Sequence, residues 1–405
     1  MAERIAKILL FFLPLHAFLI TMIGIDAVAF WKEILVLAIL CLSLFTLNKT
    51  EIKHRLNSKF VWLILIYMGY TTLSLLWAPD ISFARISYGL RYDLAFLGVL
   101  LTGMFMKEAN LEDLLKWTFF GGTIAIILGL FLHLVIGPEN FVMFGYRNAW
   151  SNFGIGEGLA FCQKIENSDL CRFQGTFSGP NQAAFYMLMY IPLAAYFFKK
   201  YKTLSIIGIP LALLALVLTY SRSALLGLML MGVVYFAVVN KDWIKGNAKK
   251  LGIVAFFGLV VLILVLYIAT PDALIRPEST SEHFSKWIEG LKVWSQSPIW
   301  GLGVGEAGPA ARALSSTPLI PESWFLQVAI HGGLIGFGMF VWIYLSLIWK
   351  LYKHNSKKSL ILLLTLVAML PPLQLLHAFE DASMTYSLFL LIGAYLMYND
   401  SIKSK

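Results

Sequence analysis

Long apolar runs without a single charge decide what this chain can fold into. Ile206–Leu218, Leu251–Ala269 and Leu360–Leu370 are such blocks, and they read as membrane-spanning helices because only a helix satisfies its own backbone hydrogen bonds in lipid. Composition agrees. Of all residues, 59% are hydrophobic and 14% charged, against about 45–50% and about 25% in soluble domains. The pattern excludes a soluble enzyme, a nucleic-acid binder and a single-span receptor with a large ectodomain.

The runs predict an all-α polytopic membrane protein forming one integral domain over 1–405. Twelve spans are expected, at 8–24, 31–47, 60–77, 86–106, 117–136, 181–198, 204–220, 223–240, 251–270, 323–348, 359–379 and 383–398. With both termini cytoplasmic, the inner segments hold 21 of the 32 Lys and Arg residues, as the positive-inside rule asks. Met1–Lys7 carries two cations and no small-residue cleavage site follows, so no cleavable signal peptide is expected. The formal charge of +9 is therefore an orientation signal.

The outer cations are mostly arginine: Arg85, Arg91, Arg147, Arg172, Arg222, Arg276 and Arg312. Guanidinium pairs bidentately with phosphate oxygens and stays charged, which suggests an anionic phosphate ligand. The alternative is pairing with the outer acids. Two outer segments are long, Gly137–Gln182 (137–182) and Pro271–Glu322 (271–322), and long loops in a compact protein are usually functional. No inner loop is long enough for a nucleotide-binding domain, and no Walker-type phosphate loop occurs. In the second segment Ser279–Glu282 has capping-box form. Phe284, Trp287, Ile288, Leu291 and Trp294 then follow helical spacing, predicting an amphipathic helix over 281–296 that rests on the bilayer interface or covers a cavity.

Cys162 and Cys171 share the first long loop; in an oxidising compartment they close a disulfide ring beside Arg172, or else stand as two free thiols. Cys41 reads as a small core hydrophobe. The seven histidines show no paired ligand spacing, so no bound metal is expected.

Three stretches carry the candidate chemistry. Arg172-Phe-Gln-Gly-Thr-Phe-Ser-Gly-Pro-Asn-Gln182 runs into a span. Its glycines permit a tight loop, Pro180 presets a helix start, and Asn181 lies in the first turn, so the helix N-terminus beside Arg172 forms either an anion site or a well-capped loop. Thr219-Tyr-Ser-Arg-Ser223 joins two spans with almost no loop and holds Arg222 near the hydrocarbon boundary, where a charge normally has a partner or a task. The third stretch comprises Trp294–Gly305, Pro321–Gln327 and Ile330–Gly333. Its glycines read as backbone flexibility next to a site. Glu322 can serve as a base at the start of a span, with His331 about two and a half turns deeper, as a second candidate or as a core histidine.

In that order these motifs resemble the bacterial O-antigen ligase/O-antigen polymerase superfamily, over roughly Arg172 to Gly336. The resemblance implies a GT-C-type membrane glycosyltransferase at the outer, periplasmic face of the bacterial inner membrane. It implies an undecaprenyl-pyrophosphate-linked glycan as donor and a saccharide acceptor, lipid A-core or a growing polysaccharide, with no metal, nucleotide or other cofactor. Arg172 and Arg222 would grip the pyrophosphate, with Arg276 and Arg91 as further candidates. Where ligases of this family usually carry His-Asn, this chain has Glu322-Ser323, so proton acceptance passes to Glu322 with His331 in reserve. Where many relatives have Arg four residues before the loop tryptophan, this chain has His283 before Trp287, which leaves these two with Asn181 to position the substrate. Two other classes compete: a non-enzymatic exporter or flippase of lipid-linked sugar, and a SEDS-type peptidoglycan polymerase.

Overall fold

A computed structural model describes residues 1–107, 109–150, 158–165, 168–240 and 277–403. Helices form where the apolar runs are. In chain order, apart from a short polar helix at Lys49–Leu56, they are α1 (Ala2–Ile23), α2 (Ala27–Thr46), α3 (Lys59–Trp77), α4 (Leu90–Phe105), α5 (Leu111–Ile136), α6 (Pro180–Tyr196), α7 (Lys202–Leu218), α8 (Arg222–Val239), α9 (Pro277–Trp294), the short α10 (Pro309–Leu314), α11 (Trp324–His354), α12 (Lys357–Leu375) and α13 (Ala382–Lys403). Pairing of extended backbone among the described residues is limited to isolated bridges, Arg147 with Ala160 and Lys164 with Cys171.

The protein is a multi-pass membrane protein. Seven helices, α1, α2, α3, α5, α8, α11 and α12, are long and apolar enough to cross a bilayer; α7 and the Ala382–Met397 part of α13 are shorter apolar helices. At two other expected intervals stand α4 and α6, with 16 and 17 residues, short of the ~20 that a hydrocarbon core asks for. The interval 251–270 lies outside the described residues. Among the described residues, then, helices stand at eleven of the twelve expected intervals: seven long and apolar enough to span, two shorter apolar ones, and α4 and α6. Cys41, expected in the core, is exposed on α2.

Small residues let the helices approach closely, as lipid-embedded helices require in place of a hydrophobic drive between them. A Cβ on Gly103 of α4 would lie 2.4 Å from the carbonyl oxygen of Leu390 on α13, and one on Gly393 would lie 2.2 Å from that of Leu100.

Two of the breaks in these helices are filled by sequence motifs. Pro14 interrupts α1 with a 3-10 turn, Leu13–Leu15. The Thr176 hydroxyl donates to the Pro14 carbonyl at 2.8 Å, and the Phe18 amide donates to the Thr176 carbonyl at 3.2 Å. Thr176 thus bridges the two groups that an unbroken helix would bond to each other. Its neighbours Phe173, Gln174 and Phe177 are buried, so the segment after Arg172 is an inserted plug. In α11 the break falls at Gly333 (φ 59°). The glycine run lies against it: Leu302 and Gly303 amides donate to the Ile330 and His331 carbonyls, and Leu334 and Ile335 amides donate to those of Pro298 and Ile299. Tyr70 caps the arrangement, its hydroxyl proton shared between the carbonyls of Trp300 and Gly332 at 3.0 and 2.9 Å. Irregular backbone is tolerated at membrane depth where it is enclosed by protein and paired. Gly301 and Gly333 face each other so closely that a Cβ on Gly301 would meet the His331 oxygen at 2.3 Å; these glycines serve close approach and pairing.

Candidate functional site

Arg172, Asn181, Arg222 and His283 line one cavity of about 350 Å³, together with Tyr220, Ser221, Ser223 and an apolar wall of Leu226, Leu375 and Leu376. Four residues singled out in three stretches of sequence therefore meet. The Arg172 Nε donates to the Thr219 carbonyl at 2.8 Å and its Nη2 to Asn181 Oδ1 at 2.9 Å, which fixes the guanidinium plane. Asn181 is in the first turn of α6, whose Pro180 start follows Gly179, and Arg222 is the first residue of α8 after Ser221. Two helix N-termini and two guanidiniums thus share one space, and amide dipoles and fixed positive charge favour an anion there. No carboxylate lines this cavity among the described residues.

Glu322 stands beside it. Its carboxylate is 3.7 Å from His283 Nδ1 and 3.6 Å from Lys286 Nζ, both on α9. Lys286 also pairs with Glu282 at 2.7 Å, and that hydrogen bond holds the Glu282 carboxyl below its ordinary range. Helix α9 begins at Pro277, earlier than the expected 281, and ends at Trp294 rather than 296. Its two sides divide the apolar residues. Trp287 and Trp294 pack against Ala307, Leu326 and Ile330, while Phe284, Ile288 and Leu291 are exposed. The tryptophans therefore fasten α9 to α11 and keep His283 and Lys286 over Glu322.

Left-handed backbone gathers here. Of the three non-glycine residues with positive φ among the described residues, Tyr220 (φ 51°), Glu322 (φ 49°) and Asn355 (φ 44°), the first two belong to this site and the third ends α11. Such a conformation costs of order 1–3 kcal/mol and persists where the surroundings enforce it, commonly at functional sites.

The other expected residues lie elsewhere. His331 does not line the cavity: it is buried, its Nδ1 bonded to Asp93 and its Nε2 accepting from the Ala307 amide at 3.0 Å, while Gln327 donates to the same Asp93 at 2.9 Å. Its imidazole is a satisfied core group joining α4, α11 and the glycine loop. Arg91 pairs with Glu33, its Nε and Nη2 both 2.9 Å from one carboxylate oxygen, and faces a second cavity. Arg276 lies outside the described residues. Cys162 and Cys171 are joined as a disulfide, Cα atoms 5.6 Å apart, directly before Arg172. Of the other outer arginines, Arg85 is buried and paired with Asp80 and Glu306, which is the pairing alternative.

Several groups of the site region were not singled out from the sequence. Asp93 is a charge inside an expected span, a signal that was available. Glu380 and Asp381 sit between α12 and α13. Burial raises the carboxyl of Glu380 well above its ordinary value and that of Asp381 to about 6. Their sequence setting, a short polar interval between apolar runs, gave no sign of this.

Residues 207–341 match the family model described as O-antigen ligase, which bears out the superfamily resemblance. The matched segment contains Arg222, His283, Trp287, Glu322 and His331, and begins after the Arg172 loop. No curated protein matches the chain.

Proposed function

Because residues 207–341 match the O-antigen ligase family model, we propose that this protein is an inverting, metal-independent glycosyltransferase of the ligase or polymerase type. It acts at the outer face of the bacterial inner membrane on a glycan carried by undecaprenyl pyrophosphate. The observation that carries the reading is the cavity in which Arg172 and Arg222 meet at the N-termini of α6 and α8, with Glu322 within 3.7 Å of the lining His283.

In this mechanism the donor's pyrophosphate lies against Arg172 and Arg222. An acceptor hydroxyl attacks the anomeric carbon from the face opposite the pyrophosphate. The carbon–oxygen bond to the pyrophosphate breaks, the bonding pair leaves with the phosphate, and the guanidiniums stabilise the charge that builds there. The hydroxyl proton passes to Glu322, held beside His283 and Lys286 as a general base. Donor binding uses Arg172 Nη2 as oriented by Asn181.

The test is to delete the gene in its host and complement with wild type or Arg222→Ala, running surface polysaccharide beside lipid-linked intermediates. Wild type should restore the ladder and Arg222→Ala should not, at equal membrane abundance. In the deletion, long chains accumulating on undecaprenyl pyrophosphate identify a ligase, and a single repeat unit on the anchor identifies a polymerase. A normal ladder from Arg222→Ala sinks the proposal.

A further inference from the structure

A second cavity, of about 560 Å³, is lined by His16, Lys32, Arg91, Tyr92, Gln182 and Asp381, among others. Its volume is that of a small-molecule site, and its chemistry is the opposite of the Arg172 cavity. Lys32 is 3% exposed. Both Lys32 and Arg91 are engaged with Glu33, at 3.3 and 2.9 Å. The carboxyls of Glu380 and Asp381 face the same space. Two cations thus meet three carboxyls, and an added phosphate would meet like charge at Asp381, an expensive arrangement. Closely spaced donors and acceptors beside the Tyr92 ring instead match an uncharged polyol, whose hydroxyls each donate and accept.

The two cavities are walled by the same short segment. Ser178 and Gln182 line the larger, Arg172 and Asn181 the smaller, so consecutive residues at the start of α6 face different cavities. Glu322 also relates to both. It lies 3.7 Å from His283 of the smaller cavity, and its charge is felt by Glu380 of the larger.

We propose that the larger cavity binds the acceptor saccharide, presenting its attacking hydroxyl toward Glu322 while the donor's pyrophosphate occupies the Arg172–Arg222 cavity. The assignment rests on the glycosyl-transfer reading above and adds the place and chemistry of the second substrate. Gln182 and Tyr92 would set which sugar is accepted.

The experiment uses the full-length protein in nanodiscs with two probes: surface glycan isolated from the gene-deleted host, which is the unmodified acceptor, and inorganic pyrophosphate. Binding of each is measured by calorimetry to wild type, Gln182→Met, Tyr92→Leu and Arg172→Ala, with thermal melting confirming that each variant is folded. The expected result is glycan binding weakened at least tenfold in Gln182→Met and Tyr92→Leu and kept in Arg172→Ala, with pyrophosphate binding showing the reverse. In transfer assays Gln182→Met should raise the acceptor KM and leave the donor KM unchanged. Glycan that fails to bind, or binds folded Gln182→Met and Tyr92→Leu as tightly as wild type, overturns the acceptor site; Arg172-dependent pyrophosphate binding in the same experiment leaves the transferase reading standing. Glycan binding lost in both cavity variants, without Arg172-dependent pyrophosphate binding, supports a saccharide cavity and sinks the donor reading instead.

Discussion

Glu322 combines two demands in one residue, a carboxylate beside two potential cations and a backbone angle that glycine would adopt more easily. The two can be separated. Glu322→Gln keeps the shape and removes the charge, so kcat should fall by about 10²–10⁴ with the melting temperature unchanged. Glu322→Gly should also abolish transfer, yet melt no lower than wild type, because relief of strain offsets the extra freedom glycine gives the unfolded chain. A Gly variant that melts well below wild type would show that the side chain holds the fold, and a Gln variant with full activity would remove Glu322 from the chemistry. His331 is the contrasting residue. Asp93 and His331 are 238 positions apart, and no local pattern pairs them; from the sequence, His331 was equally a reserve base or a core histidine, and the arrangement around it favours the second. Arg172, Asn181 and Arg222 were legible because helix starts, glycines and a charge at a membrane boundary are local signals.

At the scale of elements, apolar runs predicted where helices would stand but not how some are interrupted. Pro14 is visible in sequence; the group that repairs its break, Thr176, is 162 residues away. In the sequence the glycines of the 298–305 loop suggest flexibility, whereas their backbone is paired to α11 on both sides of Gly333. Helix α9 was half legible. Its period was readable, but which apolar residues face protein depends on the partner at Gly290, where a Cβ would meet Leu326 at 2.7 Å. The tightest helix pair gives the element-scale prediction. Gly393→Ala places a methyl against the Leu100 carbonyl, so α4 and α13 must separate, at a cost of about 1–3 kcal/mol or more. Thermal melting in detergent should show a clear loss, whereas Gly98→Ala on α4, with no atom within 4 Å of the added methyl, should be neutral or stabilising. Equal behaviour of the two variants would refute the close crossing.

At the scale of the whole molecule, burial of acids where the last helices meet the 178–182 segment should leave a mark on stability. The folded-state carboxyl of Asp381 is raised from 3.8 to about 6, chiefly by burial, with hydrogen bonds from the Met384 amide and Ser178 and the charge of Lys32 opposing. Between these values the folded protein holds a proton that the unfolded chain has released. Stability therefore falls as pH rises from about 4 to 6 and levels off above; Glu380, raised well above its ordinary value, extends the fall to higher pH. Asp381→Asn keeps an acceptor for the Met384 amide and should remove the Asp381 share, flattening the melting temperature between pH 4 and 6. An unchanged slope in that variant would assign the effect to other groups.

The repair of α1 by Thr176 sets an order in time. A ribosome adding roughly 5–20 residues per second finishes the first helix long before residue 176 exists, so for something on the order of ten seconds the Pro14 carbonyl and the Phe18 amide must find other partners. The nascent first helix is therefore a provisional structure. Whatever shelters it at the insertion machinery, water or another chain, has to withdraw when the Arg172–Gln182 segment arrives, and the start of the protein is completed only by its middle.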